Sequence, residues 1–283
     1  MDMSQIKKLR EETGAGMLDC KKALESSSGD YALALKSLQT TTQKSEGNSR
    51  VASKGLCSVV INQNQAILFE VNAETDFVSK NEYFVQLIQD LGPLLIQSNV
   101  TNAKDALLLK MDDLTVGQKI QQTASIIKEN AQLRRFYRVI KEDTQGFGSY
   151  VHQGGKVVTL VILDQNNSQI ANALAMQVTA NSPLYIDPKT IDEDTINYEK
   201  FMFEKAHGAL DENQFNQHLN EICLLTQDYI KNPEIKVSDL LKENKISLID
   251  FFRFELGQGI ENKLNCKLDI PCDGSSITVT PIY

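Results

Sequence analysis

The stretch that decides the fold runs from Glu70 to Phe84 and reads EVNAETDFVSKNEYF. It begins at the end of a run rich in β-formers, AILFEV, and it ends where apolar residues start to recur at helical spacing, from Phe84 to Leu91. This pattern predicts a strand, a polar corner and an amphipathic helix. The corner carries Asp76 followed by Phe77, which is a negative charge beside a large apolar ring.

Two interpretations of this corner are open. A strand-to-helix corner lies at the surface, so Phe77 could present its ring to a protein partner, with the carboxylate of Asp76 beside it. Alternatively, Phe77 folds back onto the sheet and Asp76 caps the helix that follows. Composition alone favours the second interpretation.

Composition limits the classes of function. A net charge of −8, from 37 acidic and 29 basic residues, disfavours direct binding to nucleic acid. No apolar run approaches the roughly 20 residues that span a bilayer, so we expect no membrane segment. Five cysteines without a C-x-x-C pair indicate neither a disulfide framework nor a zinc site. The helical pattern begins almost at the first residue, so we expect a cytoplasmic protein without a targeting segment, of bacterial or processed organellar origin.

Hydrophobic periodicity divides the 283 residues into several units. We expect an α+β fold whose core has two related α+β subdomains, because the order hairpin, corner and helix occurs twice. The predicted units are an N-terminal three-helix module (1–40), a linker (41–54), core subdomain 1 with the corner (55–144), core subdomain 2 (145–190), an inserted antiparallel helical hairpin (191–232), the completion of core subdomain 2 (233–261) and a C-terminal arm (262–283).

Local signals predict the bounds of several helices. Gly29 and Asp30 should end one helix of the N-terminal module and cap the next. Residues 105 to 130 are predicted to be helical. Residues 191 to 231 are predicted to form two helices, the second of them capped by Asp211.

One dense basic cluster falls in a strand predicted from 133 to 141. It consists of Arg134, Arg135, Arg138 and Lys141. Because charges in an alternating strand usually line its solvated face, we interpret the cluster as a solvent-exposed surface.

The sequence lacks the marks of an enzyme. None of the three histidines, His152, His207 and His218, has a partner at the spacing of a catalytic or metal-binding motif. The sequence GQG at 257 to 259 lacks the lysine and hydroxyl residue of a phosphate-binding loop, and we interpret it as a turn. We therefore predict no enzymatic activity, no cofactor and no metal.

Four blocks of the sequence resemble the elongation factor Ts family, whose members are guanine-nucleotide exchange factors of the GTPase elongation factor Tu. The blocks are IKKLREETGAGMLDCKKAL at 6–24, ETDFVSKNEYF at 74–84, GSYVH at 148–152 and DFFRFELGQGIE at 250–261. They occur in the order of the family and cover nearly the whole chain.

The resemblance implies a role for the corner. Phe77 would be a wedge between helices of elongation factor Tu, beneath its nucleotide site. Asp76 would disturb the groups that organise the Mg²⁺ ion. Val78 belongs with Asp76 and Phe77 to the family's TDFV signature, at 75–78.

Further contacts with elongation factor Tu are implied outside the corner. Arg10, Met17 and Leu18 of the N-terminal module would dock on the nucleotide-binding domain, and we expect at least one of Met17 and Leu18 to pack inward. Ile127 and His152 would add contacts from the core.

The chain departs from the family pattern in two places. Lys128 stands where a Gly is usual, which limits how closely this helix end can approach a partner. The helical hairpin is several residues shorter than usual, so the oligomeric state stays open, with a homodimer or a 2:2 complex as alternatives.

Two other classes of function are alternatives for this sequence. The N-terminal three-helix unit also resembles ubiquitin-associated folds, so the chain could be a helical protein–protein adaptor. A hydrolase that uses Asp76 is disfavoured, because no base, metal ligand or oxyanion donor accompanies that carboxylate in the sequence.

Overall fold

The computed structural model describes residues 3–13, 17–42, 52–208 and 211–259. Helices alternate with short antiparallel strands, which confirms the predicted α+β class. In chain order the elements are α1 (Met3–Thr13), α2 (Met17–Ser26), α3 (Tyr31–Thr42), β1 (Lys54–Asn62), β2 (Gln65–Ala73), α4 (Glu82–Gln97), α5 (Ala103–Ala106), β3 (Lys110–Met111), β4 (Leu114–Thr115), α6 (Val116–Ile127), β5 (Ala131–Ile140), β6 (Gly146–His152), β7 (Val157–Leu163), α7 (Ser168–Asn181), α8 (Glu193–His207), α9 (Glu212–Ile222), β8 (Asp228–Tyr229), β9 (Asn232–Lys236), α10 (Val237–Glu243) and β10 (Leu248–Glu255). The predicted C-terminal arm and residues 43–51 of the predicted linker lie outside the described residues.

The first three helices pack around a small core of their own. This core contains Ile6, Leu9, Cys20, Ala23, Leu24, Ala34 and Leu38. Gly29 adopts a φ of +84°, and its N–H donates to the carbonyl of Leu24 at the end of α2. The carboxylate of Asp30 accepts from the N–H of Leu33 and caps α3, as the sequence predicted.

The first sheet has the order β1-β2-β5, and both pairs are antiparallel. Helices α4 and α6 cover one face of it. The layer between helices and sheet contains Ile67, Phe69, Val71, Phe84, Leu87, Ile88, Leu91 and Ile120. The apolar face of α4 that the sequence predicted is therefore buried against β2.

The second sheet repeats this topology with the order β10-β7-β6. In each sheet a hairpin and a helix are followed later by a strand that pairs antiparallel with the second hairpin strand. Helix α7 lies very close to β6, since a Cβ atom at Gly148 would come within 2.2 Å of the backbone of Ala171. Only glycine fits at this position of the GSYVH block.

The two sheets pack face to face. Ala66 and Leu68 of β2 meet Val158 and Leu160 of β7 in one apolar cluster. Because side chains alternate across a strand, β2 contributes to this cluster and also to the layer under α4 and α6. Every residue of β2 from Ala66 to Ala73 is buried, so this strand joins the two halves of the core.

Helices α8 and α9 pack against each other, as predicted. The rings of Phe203 and Phe215 lie 5.8 Å apart between centroids, and the carboxylate of Asp211 accepts from the N–H groups of Asn213 and Gln214 at the start of α9. This confirms Asp211 as the N-cap.

The prediction of continuous helix from 105 to 130 was wrong. Helix α5 ends at Ala106, and the chain then forms the small hairpin β3-β4, which turns at Asp112 with a φ of +55°. A new helix, α6, starts after Thr115, whose side chain and Gln118 form a reciprocal capping box. This cap, rather than helical periodicity, sets the start of α6.

The helical region predicted to reach residue 231 ends earlier. Helix α9 stops at Ile222, and the chain continues into a 3₁₀ turn and the hairpin β8-β9. The hydroxyl of Thr226 lies 2.7 Å from the carbonyl oxygen of Asn220 and 3.0 Å from that of Cys223, so it donates its one hydrogen to an acceptor at the end of α9.

Candidate functional site

The corner after β2 is a 3₁₀ helix, Asp76–Lys80, that is fixed to the core on its inner side. Val78 is only 2% exposed and packs in the layer under α4 and α6. The side chain of Asn81 accepts from the N–H groups of Tyr83 and Phe84, at 3.0 and 3.4 Å, and so caps α4. The corner is thus held by a buried anchor and a helix cap.

The ring of Phe77 points away from this anchor and is 79% exposed. Asp76 beside it is exposed and does not cap α4, because Asn81 does. The structure therefore excludes the interpretation in which Phe77 folds back onto the sheet and Asp76 caps the helix. The ring of Phe77 is exposed to solvent, and the interpretation that composition favoured was wrong.

A second segment, at the end of α6, is bonded to the corner. The backbone N–H and the hydroxyl of Thr75 donate to the two carboxylate oxygens of Glu129, at 2.8 and 2.6 Å. In the opposite direction, the N–H of Asn130 donates to the carboxylate of Glu74 at 3.2 Å. These bonds place Ile127, which is partly buried against the core, on a segment tied to the corner.

Lys128 ends α6 in the left-handed conformation, with φ +60° and ψ +34°. This region favours glycine because it has no Cβ. The backbone conformation therefore explains why a Gly is usual at this position in the family that the sequence resembles.

His152 lies at the end of β6, where the β6-β7 hairpin turns. Its ring is partly buried and lies 6.0 Å from the ring of Tyr150. Within the same turn, the carbonyl of Gly155 accepts from the N–H of Cys57 at 2.7 Å. This hydrogen bond joins the turn to β1, and β1 also contacts the 3₁₀ helix of the corner.

The N-terminal module presents the other predicted contact residues at its surface. Leu18 is 71% exposed and Met17 is 38% exposed. The expectation that one of the two packs inward was wrong, because the inner face of α2 is supplied by Cys20, Ala23 and Leu24 instead. Arg10 is also exposed.

Val78 stands apart from the other predicted site residues. Its side chain is buried, so in this structure it supports the corner from below and offers no side-chain surface to a partner.

The basic cluster of β5 is not a solvated face, and that interpretation was wrong. Arg134 and Arg135 both donate to the fully buried carboxylate of Glu70, with nitrogen–oxygen distances of 3.2 and 2.5 Å. A bulge in β5 places two residues opposite one in β2, which turns both arginines towards Glu70. The N–H of Gly257 donates to the same carboxylate at 2.9 Å.

The network around Glu70 links the two halves of the core. Arg135 donates to the carbonyl of Glu255 at the end of β10, and Arg134 donates to that of Gln258 in the turn that follows. Burial, reinforced by the charge of Glu70, raises the pKa of the neighbouring Cys57 thiol to about 12. The GQG sequence is a turn, as predicted, and its backbone binds a carboxylate of its own chain.

Arg138 has a structural role as well. Its guanidinium donates to the carbonyls of Leu95, Ile96 and Val100 at and after the end of α4, where helix carbonyls lack helical partners. Burial lowers the pKa of Arg138.

Sequence reasoning missed the two glutamates that organise these networks. Glu70 could have been noticed, because a charge inside the apolar run AILFEV needs a partner when the strand is buried. The local composition around Glu129 gave no such signal, since this residue lies in a polar stretch and meets Thr75 only through the fold.

The described residues contain no group of three or more His, Cys, Asp or Glu side chains placed to hold a metal ion. Among the same residues, no helix is long and apolar enough to cross a membrane.

Comparisons with known proteins show the family of this chain. The family model for elongation factor TS matches residues 74–258, from the corner to the turn after β10. An elongation factor Ts of Acholeplasma laidlawii is 39% identical over 93% of this chain and 94% of its own length. Those of Phytoplasma mali and Phytoplasma australiense are 36% and 33% identical, over 92% and 89% of this chain and 99% and 96% of their own lengths. The chain therefore belongs to the elongation factor Ts family of translation elongation factors.

Proposed function

We propose that this chain is a guanine-nucleotide exchange factor that binds elongation factor Tu and promotes release of GDP, so that GTP can bind. The observation that carries the proposal is the ring of Phe77, 79% exposed beside Asp76 on a corner anchored in the core. Membership of the elongation factor Ts family supports it. A large exposed apolar ring on a rigid support fits insertion into a protein partner.

Such a factor acts by binding one state of its partner better than the other. If it weakens GDP binding a thousandfold, which is about 4 kcal/mol, GDP must weaken binding of the factor by the same ratio. The complex without nucleotide is then tight, and rebinding of GTP releases the factor. No covalent bond is made or broken, so the chain needs no catalytic residue.

The corner supplies the differential contact in this proposal. Phe77 enters between helices of the GTPase beneath the nucleotide, and Asp76 disturbs the groups that organise Mg²⁺. Burial of a phenylalanine side chain contributes roughly 1.5 to 3 kcal/mol, which is a large part of the coupling required. Val78 holds the corner on the core while Phe77 is inserted.

The remaining site residues provide affinity. Arg10, Met17 and Leu18 dock the N-terminal module on the nucleotide-binding domain, and Ile127 and His152 add contacts from the core. A homodimer or a 2:2 complex with the GTPase stays a prediction, as does action in the cytoplasm.

The proposal is tested by release of a fluorescent GDP analogue from elongation factor Tu in excess GTP. Substoichiometric amounts of the chain should accelerate release, because each molecule acts repeatedly. Failure of the folded chain to accelerate release from its cognate GTPase would refute the proposal. Binding of the chain to proteins other than the GTPase through Met17 and Leu18 would then favour the adaptor hypothesis.

A further inference from the structure

We infer that Glu129 is a positioning residue that sets the direction in which Phe77 projects. The inference rests on the proposed exchange function and names a residue that does not itself enter the partner. It starts from the bonds between the corner and the end of α6, which join segments 54 residues apart in the sequence.

Thr75 is the residue before the 3₁₀ helix, at the position where a threonine hydroxyl usually caps the first turn. Here it has an extended backbone, with φ −125° and ψ +159°, and its side chain makes no cap bond to that helix. The hydroxyl instead donates to Glu129 at 2.6 Å, alongside the backbone N–H at 2.8 Å. Both donors of Thr75 are therefore committed to one carboxylate.

The carboxylate itself is on a rigid support. Helix α6 is held by Val116 and Ile120, which are buried in the layer over the first sheet. The left-handed residue Lys128 then turns the chain, so that Glu129 and Asn130 run past the corner. The N–H of Asn130 donates to the carboxylate of Glu74, and this second hydrogen bond also holds the end of α6 against the corner.

The exposed pair Asp76-Phe77 is therefore fixed on both sides. Thr75 precedes it and is bonded to Glu129, and Val78 follows it and is buried in the core. A segment with two fixed ends loses little conformational entropy when its ring enters a partner, which favours insertion. Removal of the bonds at Thr75 frees one end and increases that entropy cost.

If the hydrogen bonds between Thr75 and Glu129 position Phe77, their loss should change the rate of GDP release more than the affinity for the partner. Loss of a docking residue such as Leu18 weakens binding, whereas loss of a residue that positions Phe77 for insertion lowers the maximal rate of GDP release at saturating factor. Glu129→Ala should lower that maximal rate about tenfold. Thr75→Val keeps the shape but removes the hydroxyl and should lower it severalfold, whereas Thr75→Ser keeps the hydroxyl and should retain the wild-type rate.

The experiment measures GDP release from elongation factor Tu over a range of full-length variant concentrations, together with amide hydrogen exchange of Thr75 in the free chain. In Glu129→Ala the Thr75 amide should exchange at least tenfold faster. Glu129→Gln, whose amide can both accept and donate, should restore most of the protection and of the rate. The double variant Glu129→Ala with Thr75→Val should be no slower than Glu129→Ala alone, because both changes remove the same contact.

Different results refute the proposed function and the positioning role of Glu129. If the wild-type chain does not accelerate GDP release, the proposed function is refuted. If the wild-type chain is active and Glu129→Ala reaches the wild-type maximal rate at saturation, the positioning role is refuted, whatever happens to affinity. Thr75→Val provides the same test with a side chain of the same shape, should Glu129→Ala fail to fold.

Discussion

The exposed ring of Phe77 can be removed without disturbing the core beneath it, so Phe77→Ala separates exchange from folding. The ring is 79% exposed, and the anchor of the corner is the neighbouring Val78. We expect the free energy of unfolding to change by less than about 0.5 kcal/mol, as for other surface substitutions.

The size of the functional effect follows from the same exposure. Full burial of a phenylalanine side chain contributes about 1.5–3 kcal/mol. Covering the exposed 79% in a partner therefore contributes about 1.2–2.4 kcal/mol. Phe77→Ala should lower the efficiency of GDP release roughly 8- to 60-fold.

The assay is stopped-flow release of a fluorescent GDP analogue from elongation factor Tu, with thermal unfolding of each variant measured in parallel. Two controls bracket the result. Leu108→Ala removes another exposed apolar side chain, 73% exposed between α5 and β3, and should change neither quantity. Phe84→Ala removes a fully buried ring and should lower the free energy of unfolding by about 3–5 kcal/mol. Wild-type exchange by a folded Phe77→Ala variant would refute the wedge.

Four further predictions concern separate parts of the chain. Met17→Ala and Leu18→Ala should each raise the Kd for elongation factor Tu about tenfold while the maximal release rate stays within about twofold, because both side chains lie on the docking module. Equal losses of affinity and maximal rate would contradict that division. Glu70→Gln should lower the free energy of unfolding by about 3–5 kcal/mol and Tm by roughly 10 °C, because it leaves two arginines without their counter-charge. An unchanged Tm would show that the network contributes nothing to stability. Lys128→Gly should raise the free energy of unfolding by about 0.5–1 kcal/mol, since glycine lacks the Cβ atom that strains a left-handed backbone. A lower free energy of unfolding, measured by denaturant titration, would contradict this prediction. The Cys57 thiol, with its pKa raised to about 12 from 9.0, should be alkylated about a thousandfold more slowly at pH 8 than in the unfolded chain, and equal rates by mass spectrometry would argue against its burial.

The sequence predicted those parts of the fold in which local pattern and tertiary packing agree. The face of α4 from Phe84 to Leu91 is buried as its spacing indicated, and Asp30 and Asp211 cap the helices expected of them. Helical spacing and N-caps involve residues only a few positions apart in the sequence, so both can be recognised without knowledge of the fold.

Other features depend on the partner that the fold brings to a residue. The direction of Arg134 and Arg135 is set by a bulge opposite Glu70, and strand alternation alone gives the wrong face. The exposure of Phe77 likewise depends on which residue of the corner packs against the core. Val78 is the buried one, so the ring of Phe77 points to solvent. The start of α6 was missed although Thr115 and Gln118 have the spacing of a capping box.

Strand β10 pairs with β7 only after the chain has passed through residues 164–247. Contacts between residues distant in sequence form late, because a long loop must close first. During synthesis from the N-terminus, the hairpins β1-β2 and β6-β7 are complete long before β10 emerges. The turn at Gly257 is thus the last group to reach the carboxylate of Glu70. We expect folding of the core to end with this step, so that a chain released before residue 248 lacks the closing strand although its corner has already been made.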